Sequence, residues 1–391
     1  AMIAIVIKCA FLQGKSIERE IYVLPPKEFD DGNLWKLNTT VYGLKDASRI
    51  WYLKVKEQLM LLGCKVSKFD EALFYWYSDN ILCGILCSHV DNFCWGGTIE
   101  FKLNVIDKIK ETFSISSEEI SRFKYLGLKF SQFKDEIKID QISYLDELKV
   151  IPLLHERRQD KNDLLNKKEV RDLRGVIGKS NWLSRRTRPD SAFETCQISV
   201  NISNAKVSDI INANKIVTKA KGNNNISVHI PDIGNFREAK IVAYQDASFA
   251  NLPNAGSQGG YIIFLLGKNK KFIPISWQSK KIKRVVRSTL AAESLALVES
   301  INQSLMIKTT LKECLNIEDS DIFPIICMTD NKSLVNSVYS TKTLLDKRLK
   351  IDICMIRESI ERKNISEVRW IDNAHQISDC LTKKGASTMN Q

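Results

Sequence analysis

The order of two hydrophobic periods in residues 236–391 constrains the fold more than any other feature of the chain. Apolar, strand-length runs fall at 239–246, 261–266, 271–277, 323–329 and 366–370. Helical spacing predicts helices over 288–314, 332–340 and 347–362, with a short final one from His375. Three strands, a helix, a strand, helices, a strand and a helix describe a mixed α/β sheet with helices packed against it.

Four acids in this region occupy positions where a merely structural acid is unexpected. Asp246 closes the first strand, Glu293 lies in the first turns of the long helix, Asp330 ends the fourth strand, and Asp379 sits on the last helix. Any one of them alone reads equally as a cap or a solvated strand end. Taken together, acids at strand ends converge at one edge of a sheet and repel one another unless divalent cations intervene. A cluster of carboxylates without Cys or His suits Mg²⁺, a hard ion that prefers oxygen. Two such ions can activate a water and stabilise the leaving oxygen of a phosphodiester.

Upstream, residues 1–100 hold short apolar and aromatic runs with turn signals. Strands at 72–77 and 81–88 flank Ser78-Asp79-Asn80, a second tight turn follows at Val90-Asp91-Asn92, and 48–62 has helical spacing. From 100 to 220 the pattern is read as mostly helical and charged. Helices are expected at 161–184 and 203–221, with Arg171, Arg174, Lys179, Arg185, Arg186 and Arg188 crowded on the first and its exit. The run Lys221-Gly222-Asn223-Asn224-Asn225 breaks the period, which gives three expected divisions: 1–100, 101–235 and 236–391.

The apolar fraction of 44% and the charged fraction of 27% exclude global disorder. A formal charge of +12 favours a polyanionic partner, most often nucleic acid. No stretch reaches the ~18–20 apolar residues that span a bilayer, so no membrane partner is expected. The opening residues 1–7 are read as a strand that begins abruptly, in a chain cut from something longer. The ten cysteines are scattered singly, which fits a reducing, cytoplasmic compartment. Cys83, Cys87, His89 and Cys94 mimic a zinc knuckle in spacing, but the apolar residues between them favour buried strand cysteines.

Several segments carry a family resemblance. Tyr244-Gln245-Asp246-Ala247-Ser248, Ser276-Trp277-Gln278-Ser279-Lys280, Ser288-Thr289-Leu290-Ala291-Ala292-Glu293, Thr329-Asp330-Asn331-Lys332-Ser333 and Ser378-Asp379-Cys380-Leu381-Thr382-Lys383 resemble, in order, the ribonuclease H domain of copia-type retrotransposons. The resemblance implies that Asp246, Glu293, Asp330 and Asp379 are ligands of two Mg²⁺ ions, with Mn²⁺ as a substitute. It also implies hydrolysis of the RNA strand of an RNA–DNA hybrid. His375, four residues before Asp379, is either an aid to proton transfer and product release or a plain helix cap. Lys280, Lys281, Lys283, Arg284 and Arg287 form a basic loop before Glu293, either solvated or gripping phosphates. Asp352, on the helix 347–362, has no place in the implied ligand set.

The resemblance continues upstream into the reverse-transcriptase core of the same family. It is carried by Lys8-Cys9-Ala10-Phe11-Leu12-Gln13-Gly14, Tyr42-Gly43-Leu44-Lys45-Asp46-Ala47-Ser48-Arg49 and Thr187-Arg188-Pro189-Asp190. The departures are chemical. Val6 stands where the family has its first palm aspartate, and His89-Val90-Asp91-Asn92 replaces a turn that ends in two aspartates. Asp91 is thus the single survivor of three metal-binding acids, and Asp46 replaces a nucleotide-pocket glutamine. On the same resemblance the fingers that precede the palm are expected to be missing, while Lys45 and Arg49 remain available to hold a duplex. The expectation is a Mg²⁺-dependent ribonuclease for RNA–DNA hybrids, joined to a polymerase remnant without activity. The alternatives are a non-catalytic nucleic-acid-binding remnant and an active RNA-directed DNA polymerase. A cytoplasmic location is expected, with a virus-like particle or the nucleus as alternatives.

Overall fold

The computed structural model describes residues 1–319, 321–341 and 344–385. It divides into two compact units: Ala1–Gln132 with Thr310–Glu318, and Phe133–Thr309 with Asp319–Gln391. The expected divisions at 100 and 235 do not coincide with this one.

In the first unit a helix lies on a six-stranded sheet. The elements are β1 (Met2–Ile7), α1 (Ala47–Leu61), β2 (Lys65–Val66), β3 (Leu73–Ser78), β4 (Ile81–His89), β5 (Asn92–Gly97) and β6 (Ile115–Ile120), with sheet order β2-β3-β4-β5-β1-β6. Alternation along β1 sends Ile3, Ile5 and Ile7 into a core with Trp51, Val55 and Leu59 of α1. Phe74, Phe93 and Phe101 close that core. Gly84 is required there, because a Cβ on it would stand 2.0 Å from the Phe101 ring. The turn between β4 and β5 puts Val90 at φ 54, a left-handed conformation that tight hairpin turns demand and β-branched residues resist. Its carbonyl accepts the indole N–H of Trp51 at 2.6 Å.

The segment read as mostly helical opens on helical residues, 99–112, but then turns to strands. β6 and the hairpin β7 (Arg122–Tyr125) and β8 (Leu128–Gln132) occupy it, followed by β9 (Glu136–Asp140) in the second unit. Ser116 to Glu119 are polar and β6 pairs at the sheet edge, so the segment lacks the apolar alternation of a half-buried strand. The cysteines bear out the strand reading. Cys83 and Cys87 lie on β4, and Cys94, on β5, is paired opposite Cys87. Burial pushes the Cys87 thiol up to about 11 and that of Cys94 to about 12, away from the thiolate that zinc requires.

The second unit begins with β9, two short helices (Ile142–Glu147 and His155–Gln159) and three longer ones, α2 (Lys167–Arg186), α3 (Ala192–Val200) and α4 (Val207–Gly222), and β10 (Val228–Pro231) then returns to pair with β9. A capping box fixes the start of α2: Asn166 accepts from the amide of Glu169, and the Glu169 carboxylate accepts from that of Asn166. Arg188 is not a surface cation. It is 2% exposed, paired through two nitrogens with Asp190, and donates to the carbonyls of Ala220 and Asn223 at 3.0 Å.

The remaining elements are β11 (Lys240–Leu252), β12 (Gly256–Leu266), β13 (Phe272–Lys281), α5 (Thr289–Leu315), β14 (Ile325–Thr329), α6 (Lys332–Tyr339), α7 (Lys347–Glu361) and β15 (Glu367–Trp370). Their sheet runs β13-β12-β11-β14-β15, antiparallel over the first three strands and parallel thereafter. This is the mixed five-stranded α/β sheet that the sequence led us to expect. The helices before it are not a separate layer. Ala192 of α3 is buried with Ile262 and Leu381, and the indole of Trp277 donates to the Ser184 carbonyl at 2.7 Å. Among the described residues no helix is long and apolar enough to cross a membrane.

Candidate metal centre

Asp246, Glu293 and Asp330 each offer a carboxylate oxygen, and the three atoms lie within 4.8 Å of one another. Among the described residues no other group of three acids, cysteines or histidines gathers this closely. Asp246 lies in mid-strand rather than at a strand end, because β11 runs on to Leu252 before its hairpin with β12. Asp330 follows β14, the parallel neighbour of β11, and Glu293 enters from the second turn of α5. A carboxylate on one strand, one just past the end of its parallel neighbour and one on a covering helix thus converge.

The electrostatics of the triad are unfavourable for bare charges. Glu293 is 4% exposed, and one of its oxygens, Oε2, has no hydrogen-bond partner among the described residues. Burial first, then the Asp246 and Asp330 charges, push the Glu293 carboxyl well above its ordinary range, against one bond from the Ala247 amide. Burial likewise raises Asp246, which is 1% exposed, and Lys383 and Thr382 oppose the rise. Three crowded carboxylates, one of them with a buried oxygen that has no partner among the described residues, are a donor set that a hard divalent cation satisfies. The residues therefore fit a divalent cation.

Asp379 stands apart from this triad. It lies on a tight 3₁₀ turn, Ile377–Leu381, where a short last helix was expected. That turn is bound closely to the sheet. Gln376 donates to the Gln245 carbonyl at 3.0 Å, and Ser279 donates to the Leu381 carbonyl at 2.6 Å. Gly260, opposite Asp246 on β12, leaves room for it; a Cβ there would come within 2.6 Å of the Leu381 Cβ. The Lys383 ammonium links Asp379 to the triad, 2.7 Å from Asp379 Oδ1 and 3.5 Å from Asp246 Oδ1. The Thr382 hydroxyl donates to the other Asp246 oxygen. Sequence reasoning missed both contacts, although the two residues stand in the quoted motif beside Asp379.

His375 ends a separate turn, Asn373–His375, and is exposed; among the described residues no contact joins its ring to the four carboxylates. The basic loop divides. Lys280 pairs with Glu299 of α5, and Arg284 pairs with the buried Asp352 of α7. Lys281, Lys283 and Arg287 are exposed. Lys280, Lys281, Lys283 and Arg284 border a groove of ≈ 340 Å³ between the ends of β12 and β13 and the α5 helix. Beside Asp330, the Trp370 indole donates to the Asp330 carbonyl at 3.0 Å and carries the Lys332 ammonium over its face.

The first unit presents a different picture. Val6 pairs with Asn92 across β1 and β5, and Asp91 sits at the adjoining turn, where its carboxylate accepts from Asn92 Nδ2 at 3.1 Å. The hairpin is thus in place with one carboxylate. Lys45 and Arg49 are exposed on either side of the start of α1.

Residues 2–153 match the family model described as reverse transcriptase (RNA-dependent DNA polymerase). The chain is 25% identical over 402 residues to the retrovirus-related Pol polyprotein from transposon RE1 of Arabidopsis thaliana, covering 98% of this chain and 26% of that protein. It is 26% identical over 414 residues to the corresponding polyprotein from transposon TNT 1-94 of Nicotiana tabacum, covering 96% of this chain and 29% of that one. The chain therefore spans about a quarter of the length of the curated relatives it matches. Among solved structures, the foamy viral protease-reverse transcriptase in complex with an RNA/DNA hybrid aligns with 100% of this chain and 46% of its own, at 12% identity and a TM-score of 0.48. Residues 2–153 thus carry a reverse-transcriptase domain match, and the homologues of the chain, over most of its length, are copia-type retrotransposon Pol polyproteins.

Proposed function

We propose that the second unit is a divalent-metal-dependent ribonuclease that cuts the RNA strand of RNA–DNA hybrids, and that the first unit no longer polymerises. The observation that carries this reading is the Asp246–Glu293–Asp330 triad, with its three oxygens within 4.8 Å and one Glu293 oxygen buried without a partner. These three residues and Asp379 would hold Mg²⁺, which when bound supplies an activated water and charge stabilisation for the leaving oxygen. The chain's own contribution is position. The parallel pair β11–β14 fixes Asp246 and Asp330, α5 brings Glu293 down on them, and the bonds from Gln376 and Ser279 hold the Asp379 turn. Lys281, Lys283 and Arg287 are placed to meet phosphates along the loop that leads into α5.

The polymerase reading lacks ligands. A metal-assisted phosphoryl transfer needs charged oxygens around the nucleotide phosphates, and at the β4–β5 hairpin only Asp91 supplies one beside Val6 and Asn92.

The test is a substrate panel with the full chain and Mg²⁺: an end-labelled RNA–DNA hybrid, the same RNA single-stranded, and the corresponding duplex DNA. Cleavage confined to the RNA of the hybrid is expected, with selection by the 2′-hydroxyls and the groove shape of the hybrid. No cleavage with either Mg²⁺ or Mn²⁺, or equal cleavage of single-stranded RNA, overturns the reading.

A further inference from the structure

The four carboxylates form two groups rather than one. Asp246, Glu293 and Asp330 converge directly, whereas Asp379 reaches Asp246 only through the Lys383 ammonium. Nothing in the implied ligand set accounts for a cation built into the site. We propose that Lys383 is a tethered counter-cation that occupies the Asp246–Asp379 side of the centre, so that the site fills with metal in two unequal steps. The inference rests on the metal-site reading given above.

Three observations support it. First, the ammonium lies where a cation between two carboxylates belongs, 2.7 Å from Asp379 and 3.5 Å from Asp246. Second, the tether is short and fixed. Lys383 is four residues after Asp379, just past the end of the Ile377–Leu381 turn, and its amide donates to the Asp379 carbonyl at 2.8 Å. The preceding Thr382 hydroxyl takes the other Asp246 oxygen, so the whole Thr382–Lys383 step is docked on Asp246. Third, among the described residues the triad side has no such occupant, for Glu293 Oε2 is buried without a partner there.

Two consequences follow for a chain that meets divalent ions. The first ion enters the triad, where it satisfies an unpartnered oxygen and displaces no cation. A second ion must move Lys383 out from between Asp246 and Asp379, which the side chain permits because it is 39% exposed. The second affinity is thereby set below the first. In the absence of metal, the same lysine keeps two like charges from facing each other unscreened.

The experiment measures Mn²⁺ binding to the full chain by the electron paramagnetic resonance of the free ion, together with melting in EDTA. Wild type should bind one Mn²⁺ tightly and a second about tenfold or more weakly, the range by which neighbours tune metal sites. Lys383→Met, which keeps the length and removes the charge, should tighten the second site by a similar factor of about ten and leave the first unchanged. It should also melt lower than wild type in EDTA and recover that loss with Mn²⁺. Lys383→Arg should preserve the gap between the sites, and Lys384→Met, one residue away and exposed, should change neither readout. Two equal sites in wild type, or a second affinity unmoved in Lys383→Met, overturn the inference and leave the metal-site reading standing. A wild-type chain that binds no Mn²⁺ overturns both.

Discussion

Glu293→Gln should make the metal-free protein more stable, not less. The wild-type side chain is 4% exposed, has one oxygen bonded by the Ala247 amide, and presents the other to Asp246 and Asp330 without a partner. Glutamine has nearly the same volume. Its carbonyl keeps the Ala247 bond, and its amide N–H groups turn a repulsion into hydrogen bonds with the two aspartates. Relief of one buried, unsatisfied and charged acceptor is worth about 1–3 kcal/mol. For a body the size of the second unit this corresponds to a rise in Tm of about 2–12 °C. The pH dependence follows from the raised Glu293 carboxyl. In the unfolded chain the acid ionises in its ordinary range, while the folded chain resists ionisation until a higher pH, so folding stability falls as pH climbs between the two values. The Gln variant lacks that loss. Its advantage should be small at pH 5, grow towards pH 8, and shrink when Mg²⁺ stabilises the wild type. Differential scanning fluorimetry in EDTA and in Mg²⁺ across that range measures each effect. A variant that melts at or below wild type in EDTA at pH 8, with a gap that ignores pH, refutes the reasoning.

Two further outcomes are expected. The full chain should not extend a primer on an RNA template with Mg²⁺ or Mn²⁺, because Val6 and Asn92 flank the single carboxylate Asp91; template-dependent incorporation above a no-enzyme control contradicts this. Asp352→Asn should leave Mn²⁺ binding unchanged while releasing Arg284 into the basic groove, at a stability cost of about 1 kcal/mol or less because Arg284 is partly exposed. Loss of Mn²⁺ binding in that variant would place Asp352 in the metal site after all.

Much of this was legible in the chain because the signals are local. The strands around Asp246 and Asp330 read as apolar runs, and the helix that carries Glu293 was placed within a residue at each end. What escaped depends on distant partners. Arg188 looks like the last cation of a basic helix, but carbonyls 32 and 35 residues later bury it. Arg284 looks like a phosphate ligand until α7 brings Asp352 against it. The stretch Ser248-Phe249-Ala250-Asn251 hid the continuation of β11, because its pairing with β12 is irregular there and Ala250 takes a positive φ. Lys383 was visible within its motif, yet its meaning needed the turn that swings it back over Asp379 towards Asp246.

The most direct test of the account is hybrid cleavage by the full chain set beside that of Asp330→Asn. The substitution is almost isosteric, removes one charged member of the triad, and leaves intact the Trp370 bond, which is made to the Asp330 backbone carbonyl. The account predicts that wild type with Mg²⁺ cuts the RNA strand, and that Asp330→Asn binds the same hybrid with similar affinity and melts normally but does not cut. Cleavage by Asp330→Asn at the wild-type rate, or no cleavage by wild type with Mg²⁺ or Mn²⁺, contradicts it.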